Sequence, residues 1–388
     1  MNGGERDPLA RRLQGFGTTI FAEMSALALR TGSINLGQGV PDDDPPAEVL
    51  DAAVDAIRSG RNQYPPGPGE PVLRHAIAAH QLRFRGIELD PDTEVLVTVG
   101  ATEAIAAAVL ALCEPGDEVV AFQPTFDSYP ASVSMAGATL RPVTLRAPDF
   151  AFDEDELRAA VTPRTRLLLL NSPHNPTGKV FDDAELELVA SVCLEHDLIA
   201  VSDEVYEHLV FDGAHRPLST LPGMAERTLS ISSAGKTFSC TGWKIGWATG
   251  PAPLVAATRT AKQFLTFTAG GPFQEAVAVG LGLPDEVFTG RRDALRAGRD
   301  LLCAGLVDTG FEVRPPASTY FVTVDVAPFS DADGLEFCRE LPERCGVVAV
   351  PASVFYDDPA LGRQLVRFAF CKRPEVLEAA VDRLHRLG

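Results

Sequence analysis

The stretch Ser232-Ser-Ala-Gly-Lys-Thr-Phe-Ser-Cys-Thr-Gly-Trp-Lys-Ile-Gly-Trp247 surrounds one lysine, Lys236, with hydroxyl and glycine residues. The apolar run 228–231 before it predicts a buried strand, so Lys236 follows a strand end. Glycines at positions 235, 242 and 246 are predicted to let the backbone approach a ligand closely. Hydroxyls at positions 232, 233, 237, 239 and 241 offer hydrogen bonds to an anion.

A second cation, Lys244, lies shortly after Lys236. A lysine that is desolvated near another cation has a lowered pKa and becomes a usable nucleophile. The stretch therefore predicts a lysine that forms a Schiff base beside a bound phosphate. The pattern Ser233-x-x-Lys236 also occurs in β-lactamases and penicillin-binding proteins, but their companion Lys-Thr-Gly and Ser-Asp-Asn motifs are missing from this chain.

On both sides of this stretch, short apolar runs alternate with helical stretches. The predicted strands are 94–99, 118–122, 139–145, 166–170, 198–202, 228–231 and 245–249, with helices at 102–113, 183–196 and 253–267. Nearly continuous apolar strands that alternate with helices predict an α/β fold with a mainly parallel, doubly wound sheet buried on both faces.

The last hundred residues have a different pattern, in which a long polar-faced helix from about residue 285 leads to Gly310. A smaller α+β unit follows, with strands near 321–326, 347–350 and 365–370. The predicted parts of the chain are an N-terminal arm (1–18), a large domain (46–285) and a small domain made of 19–45 and 286–388.

Composition excludes several classes of protein. The formal net charge of −19 argues against nucleic acid and anionic membranes as partners, because both need a basic surface. The seven cysteines are scattered, with no Cys-x-x-Cys pair, which predicts free thiols in a reducing cytosol and no metal site. The polar N-terminus is not typical of a signal peptide, and the longest apolar run is too short to span a bilayer. We therefore expect a cytoplasmic protein.

Polar residues follow several predicted strands at the point where each strand ends. Ala101 and Thr102 open a helix after one strand, whereas Asn175, Asp203 and Lys236 follow three others. Ligands of open α/β sheets bind at the carboxyl ends of the strands, so these residues are expected to form one site. Helix N-termini there favour an anion such as a phosphate.

These segments resemble the motifs of the fold-type I pyridoxal-phosphate (PLP) aminotransferases of class I/II. The resemblance covers nearly the whole chain from about Thr19 and rests on Leu36–Gly39, Asn62–Tyr64, Asn171–Val180, Asp203–Tyr206, Ser232–Trp247 and Val366–Phe368. It implies the PLP-transferase fold type I, PLP as cofactor, and an obligate homodimer with shared active sites.

The resemblance also implies a role for each residue. PLP withdraws electrons only while its ring nitrogen is protonated, and Asp203 is expected to keep it so. Asn175 and Tyr206 are expected to bind the ring oxygen, and Phe126 to cover the ring. Lys236 is the Schiff-base lysine and, once displaced by an amino acid, carries a proton between substrate and cofactor. The expected phosphate ligands are Ala101, Thr102, Ser233 and Lys244.

For the substrate, a bidentate cation is needed to hold the α-carboxylate, and Arg367 on a late β-run is the candidate. The resemblance adds Gly39 and Asn175 as carboxylate contacts. Tyr64 is expected to reach the phosphate of the partner subunit, and the loop 266–271 is expected to face the neighbouring site.

Among members of the family, the Tyr64–Gly69, Gly100–Ile105 and Asn171–Gly178 segments look most like succinyldiaminopimelate aminotransferases. This implies transfer of an amino group between glutamate and a succinylated amino-oxopimelate in lysine biosynthesis. Gln123 and Thr125 depart from the family pattern, in which a glutamate and an aromatic residue are common, so the size of the pocket is left open there.

Three alternatives also remain open at this point. One is a broad kynurenine, glutamine or methionine aminotransferase, and a second is a cysteine-conjugate β-lyase on the same scaffold. The third is a PLP-fold protein that only binds. The combined presence of Lys236, Asp203, Tyr206 and Arg367 argues against the third, because a binding module has no need of both a nucleophile and its electronic tuning.

Overall fold

The computed structural model describes residues 8–331 and 333–387. Its strands are β1 (Ile34–Asn35), β2 (Val95–Val99), β3 (Glu118–Gln123), β4 (Thr139–Thr144), β5 (Thr165–Asn171), β6 (Ile199–Asp203), β7 (Thr228–Ser233), β8 (Ile245–Thr249), β9 (Phe321–Asp325), β10 (Val347–Val348), β11 (Val350–Pro351) and β12 (Leu365–Ala369).

The α-helices of the described residues lie between and after these strands. They are α1 (Ile20–Thr31), α2 (Ala47–Arg58), α3 (Pro71–Arg85), α4 (Gly100–Leu112), α5 (Ser128–Met135), α6 (Glu154–Ala160), α7 (Asp183–Glu195), α8 (Ala234–Thr237), α9 (Ala252–Leu265), α10 (Gly271–Leu281), α11 (Asp285–Thr309), α12 (Gly334–Cys345) and α13 (Pro374–Leu384).

The largest sheet has seven strands in the order β2-β8-β7-β6-β5-β3-β4. The five strands from β7 to β4 are parallel to one another, whereas β8 pairs antiparallel with both β7 and β2. The predicted mainly parallel α/β sheet is therefore confirmed, and each predicted strand lies within two residues of an observed one.

Both faces of this sheet are buried. Leu168 and Leu170 of β5 enter a hydrophobic cluster with residues of α7, whereas Leu167 and Leu169 enter a second cluster with residues of α4. Neighbouring side chains of a strand point to opposite faces, so the two clusters cover opposite sides of the sheet. The loops at the carboxyl ends of the strands are left to form a site.

Two helix starts follow from side-chain hydrogen bonds. Asp182 and Glu185 form a capping box at the start of α7, each carboxylate accepting a hydrogen bond from the other residue's N–H. The helix α4 begins at Gly100, two residues earlier than predicted. There the Glu103 carboxylate accepts a hydrogen bond from Val99 N–H at 2.6 Å, which satisfies a group at the helix start.

A second, antiparallel sheet has the order β11-β12-β9, and β1 pairs in parallel with β10. Met24 and Leu36 share one hydrophobic cluster with Val348 and Phe368. The segment before Pro46 thus packs on the C-terminal part of the chain, as the predicted small domain requires. The domain boundaries themselves stay predictions.

Residues 1–7 of the predicted arm lie outside the described residues. None of residues 8–18 is buried, and Arg11–Leu13 forms a single 3₁₀ turn. All seven cysteines are free and buried, as predicted for thiols. Across residues 8–331 and 333–387, no helix combines the length and the apolar character that a membrane span needs.

Candidate active site

The carboxyl ends of β5, β6 and β7 and the start of α4 surround a cavity of about 320 Å³. Most of the residues predicted for the site line it. They are Gly39, Ala101, Thr102, Phe126, Asn175, Asp203, Tyr206, Ser233, Lys236 and Lys244. Arg367 lies directly behind the cavity wall, where it contacts Asn175. Tyr64 does not line the cavity of its own chain.

Lys236 lies on α8, the short helix that begins directly after β7. Burial lowers the pKa of its ammonium from 10.5 to about 8, against the charges of Cys371 and Asp203, which raise it. The charge of Lys244 also lowers this pKa, but far less than burial does, so desolvation rather than the second lysine is the main reason for the lowered pKa. Lys236 Nζ donates a hydrogen bond to the hydroxyl of Tyr320 at 2.8 Å.

Asp203 is the last residue of β6 and its side chain is buried. Burial raises the pKa of the carboxyl group to about 6, although the Tyr129 hydroxyl donates a hydrogen bond to Oδ2 at 2.6 Å. Among the described residues, Asp203 forms no salt bridge within 4 Å. A cation placed in the cavity would stabilise the ionised form of this buried, unpaired carboxylate.

The loop after β5 is held by Asn171 and presents Asn175. The Asn171 side chain donates to the Asp203 carbonyl at 2.9 Å and accepts from Asn175 N–H at 2.8 Å. Asn175 Oδ1 accepts a hydrogen bond from Arg367 Nη1 at 3.0 Å, which leaves its amide N–H groups for a ligand. Asn175 thus joins the two predicted halves of the site, the cofactor half and the carboxylate half.

Tyr206 contacts Tyr320 edge to face, with ring centroids 5.3 Å apart. Burial raises the pKa of Tyr206, so its hydroxyl stays protonated and can donate. Tyr320 also donates a hydrogen bond to the carbonyl of Gly39 at 3.0 Å, which fixes its hydroxyl beside Lys236. Sequence reasoning missed Tyr320, because nothing in the run Ser318–Phe321 distinguishes a site residue from a core aromatic.

Tyr129 was also missed, although the sequence contains a signal for it. It lies three residues after Phe126, which is the spacing that places side chains on one side of a helical turn. The two rings meet edge to face at 5.8 Å, so a residue that covers the cavity and a residue that holds Asp203 come from one segment.

The start of α4 forms the anion side of the cavity. Gly100 has φ +71°, and a Cβ built on it would lie 3.3 Å from Lys244 Nζ. A Cβ on Gly246 would lie 2.5 Å from the carbonyl carbon of Gly100. Gly246 therefore lets β8 approach α4, and its predicted approach to a ligand stays a prediction. A Cβ on Gly242 would have no protein neighbour within 4 Å.

Only part of the predicted hydroxyl set faces the cavity. Ser233 and Thr241 line it. Ser232 donates to Glu207 at 2.7 Å, Thr237 donates to a backbone carbonyl, and Ser239 is bonded to Arg291. The prediction of five hydroxyls for the anion is thus wrong for three of them.

Arg367 lies on β12 with only 1% of its surface exposed. Its Nη2 donates to the Gly37 carbonyl at 2.9 Å, its Nε has no hydrogen-bond partner, and it has no salt bridge within 4 Å among the described residues. Burial lowers its pKa to about 10. The ring of Phe321 lies 3.9 Å from the guanidinium carbon, and the rings of Phe21 and Phe355 lie 5.3 Å from it. Sequence reasoning missed these three rings. They pack on the guanidinium without neutralising its charge, so it can still bind a carboxylate.

Tyr64 is 82% exposed and touches Phe267 edge to face at 5.6 Å. Phe267 is itself half exposed, and Phe264 beside it is 82% exposed. Tyr64 and the predicted loop 266–271 therefore lie together on the surface, in an apolar patch that one chain does not cover.

The two positions that depart from the family pattern attach a neighbouring segment to the site. Gln123 accepts a hydrogen bond from Asp357 N–H at 2.8 Å, and Thr125 N–H donates to the Phe355 carbonyl at 2.7 Å. Both are buried, and neither lines the cavity. Thr125 thus holds the backbone of Phe355, whose ring lies beside Arg367, and Gln123 holds the same segment two residues further on.

The chain belongs to the aminotransferase class I and II family, whose model matches residues 31–384. It is an aminotransferase. The chain is 55% identical to the probable N-succinyldiaminopimelate aminotransferase DapC of Mycobacterium tuberculosis, over 97% of this chain and 98% of that protein. The structure of N-succinyldiaminopimelate aminotransferase from Mycobacterium tuberculosis matches with a TM-score of 0.96 and covers 98% of this chain and 100% of that one.

Other relatives share less of the sequence. The methionine aminotransferase of Escherichia coli is 40% identical, over 97% of both chains. The kynurenine–oxoglutarate transaminase 1 of Rattus norvegicus is 37% identical, over 97% of both chains. The resemblance to aminotransferases that the sequence motifs indicated is thereby confirmed, as is the predicted fold type.

Proposed function

We propose that this chain is a pyridoxal-phosphate-dependent aminotransferase with Lys236 as its central residue. The observation that carries the proposal is one cavity that holds a lysine of lowered pKa, a buried carboxylate and a helix N-terminus, with a buried arginine behind its wall. Neither Asp203 nor Arg367 forms a salt bridge within 4 Å among the described residues, so each is free for a charged group of a ligand.

These residues fit pyridoxal phosphate. The backbone of Ala101 and Thr102, Ser233 and Lys244 would hold its phosphate, because N–H groups, a hydroxyl and a cation meet there. Asp203 would hold a protonated ring nitrogen, Asn175 and Tyr206 the ring oxygen, and Phe126 the ring face. When bound, the cofactor supplies a protonated ring that withdraws electrons from the reacting amino acid.

The chain's own residues then bind, orient and move protons. Arg367 and Asn175 orient the α-carboxylate of the amino acid, assisted by the backbone near Gly39. Lys236 Nζ removes the proton from the substrate's α-carbon and acts as a general base. The Tyr320 hydroxyl keeps Nζ in position, because it accepts the hydrogen bond from the ammonium form and is itself fixed by Gly39.

For the substrate, we infer N-succinyl-LL-diaminopimelate with 2-oxoglutarate as the amino acceptor, in lysine biosynthesis. The 55% identity to the Mycobacterium tuberculosis relative supports this inference. A second cavity of about 590 Å³ also supports it, since Phe355 lines that cavity and lies beside Arg367. We propose that a long substrate held at Arg367 extends past Phe355 into this space.

The second cavity contains a cation suited to the far end of such a substrate. Among its described lining residues, Arg339 is the basic one, and it pairs with Glu23 at 2.9 Å. The succinylated compound carries carboxylates at that end, whereas kynurenine and methionine have none. Arg339→Ala is therefore expected to lower kcat/KM for the succinylated donor about 10-fold and to leave kcat/KM for kynurenine and methionine unchanged.

Steady-state transamination tests both levels of the proposal. Glutamate formation from 2-oxoglutarate is measured with N-succinyl-LL-diaminopimelate, kynurenine, methionine and glutamine as donors, with exposed Arg363→Ala as the control variant. Preference for the succinylated donor is expected. A lead by kynurenine or methionine would favour the broad aminotransferase alternative, which the 37–40% identical relatives support. Release of pyruvate with ammonia from cysteine conjugates would favour the β-lyase.

We also propose that the enzyme is a cytoplasmic homodimer. The exposed apolar patch around Tyr64 and Phe267 supports the dimer, because a second copy would cover it and bring Tyr64 to the partner's phosphate site. The seven free, buried thiols support a reducing compartment.

A further inference from the structure

A cluster of three metal-ligating side chains lies behind the loop that carries Asp203 and Tyr206. His80 of α3 and His208 approach each other with their Nε2 atoms 2.7 Å apart. The Glu207 carboxylate lies beside them, and ligand atoms of the three residues all lie within 4.8 Å of one another. None of the three has a role in the proposed transamination.

The chemical state of the cluster suits a cation. At a separation of 2.7 Å, one of the two Nε2 atoms donates the shared proton and the other accepts it, so one ring already presents a lone pair at this point. Each Glu207 oxygen has one protein partner, Arg85 or Ser232, and keeps a further lone pair.

We propose that His80, Glu207 and His208 bind one divalent metal ion such as Zn²⁺. Two imidazoles and a carboxylate are a ligand set that zinc prefers, whereas calcium and magnesium prefer oxygen alone. Zinc–nitrogen bonds of about 2.0–2.1 Å need the two Nε2 atoms about 3.3 Å apart in a tetrahedral site. The two Nε2 atoms therefore have to separate by about 0.6 Å for the ion to be bound between them.

Access and the remaining coordination position come from a neighbouring cavity of about 250 Å³. Glu207, His208 and His215 line it together with Arg85 and Arg292. A metal ion enters from this side, and a water molecule completes its coordination there. The His80 Nδ1 atom is buried without a partner among the described residues, so the hydrogen bond between the two Nε2 atoms is the contact that a bound metal ion would replace.

Bound metal would tie α3 to the loop that follows β6. Glu207 and His208 come directly after Tyr206, and Glu207 also accepts the hydrogen bond from Ser232 on β7. The ion would thus hold the segment that presents Asp203 and Tyr206 to the active-site cavity. It would also stabilise the folded protein, because it binds the folded state and not the unfolded one.

The test is equilibrium dialysis of the metal-free holoenzyme against buffered Zn²⁺, with zinc measured per chain, and the visible absorption of Co²⁺ as a second probe. Wild type is expected to bind one ion per chain and to gain thermal stability. His208→Gln is expected to weaken binding by about 100-fold or more and to lose that gain. The matched control, His75→Gln, changes an exposed histidine of the same helix and is expected to bind as wild type does.

Two results would overturn the proposal. One is the absence of saturable zinc binding by the wild type, which would leave His80 and His208 as a hydrogen-bonded pair only. The other is equal zinc affinity in wild type and His208→Gln. His80→Gln provides a second variant, and if it fails to fold, Glu207→Gln and His208→Gln decide the question together.

Discussion

Single residues of the candidate site are held in states that water would not favour. Lys236 has a pKa near 8 and Asp203 a pKa near 6, and burial is the main cause of both shifts. Arg367 is buried with an Nε that lacks a partner. Groups of this kind cost stability when the site holds no ligand, and they bind a ligand of complementary charge strongly.

Asp203 makes this cost measurable. Its pKa is raised from 3.8 to about 6, so the ionised form is disfavoured in the folded state. Below pH 3.8 the Asp203 carboxyl group is protonated in both the folded and the unfolded state. As the pH rises from 3.8 through about 6, ionisation favours the unfolded state, and the free energy of unfolding falls by roughly 3 kcal/mol. Asp203→Asn removes this fall in the free energy of unfolding, because asparagine does not ionise. Free of cofactor, the variant is expected to gain stability relative to wild type as the pH rises from 4 to 8.

Urea denaturation of both cofactor-free proteins across this pH range checks the prediction. The control is Asp51→Asn, which changes an exposed carboxyl group of α2. A stability difference that is flat with pH, or one that shrinks as the pH rises, would mean that burial does not raise the Asp203 pKa in this way.

At the scale of elements, the close approach of β8 and α4 shapes the anion side of the cavity. Gly246→Ala would put a Cβ 2.5 Å from the Gly100 carbonyl carbon, so strand and helix must separate. We expect a loss of about 1–3 kcal/mol in stability and weaker binding of the cofactor phosphate. Gly242→Ala is the matched control, since no heavy atom lies within 4 Å of the new Cβ.

Thermal unfolding and the dissociation constant for pyridoxal phosphate check this prediction. Equal melting temperatures and equal dissociation constants for the Gly246 and Gly242 variants would contradict it, because only the Cβ on residue 246 would meet a neighbouring atom. An effect on stability with unchanged phosphate affinity would remove the start of α4 from the phosphate site.

Elements were the most predictable level of this protein. Strands such as β3 and β5 contain continuous apolar runs, 119–122 and 167–170, so their positions follow from local sequence. The antiparallel direction of β8 was not predicted, because direction depends on which strand a segment pairs with and not on its own residues. For the same reason the purpose of Gly246 was missed, since its neighbour Gly100 is far away in the sequence.

The site residues show the same division. Asp203, Asn175 and Lys236 follow strand ends and carry distinctive motifs, so sequence placed them at one edge of the sheet. Tyr320 and the rings around Arg367 come from segments without a motif. Packing between distant segments brings Tyr320 to Lys236 and the three rings to Arg367, and that packing cannot be read from a local pattern.

At the scale of the whole molecule, the proposed dimer predicts complementation. Tyr64→Ala and Lys236→Ala, each inactive alone, are expected to recover part of the activity when mixed, because a hybrid dimer keeps one intact site. Size-exclusion chromatography and a labelled-subunit exchange assay provide the control for mixing. Proven exchange without recovered activity would place the action of Tyr64 within its own chain.

The central claim is that Lys236 and its cavity carry out transamination, and a half-reaction without any oxo acid tests it most directly. The holoenzyme is mixed with N-succinyl-LL-diaminopimelate, glutamate, kynurenine, glutamine or methionine, each at a sub-saturating concentration, and the cofactor's visible absorbance is followed. The account predicts rapid loss of the absorbance and the fastest rates with the succinylated compound and glutamate. Lys236→Ala is expected to show no turnover. Absorbance that no amino acid changes, or full turnover in Lys236→Ala, would contradict the account.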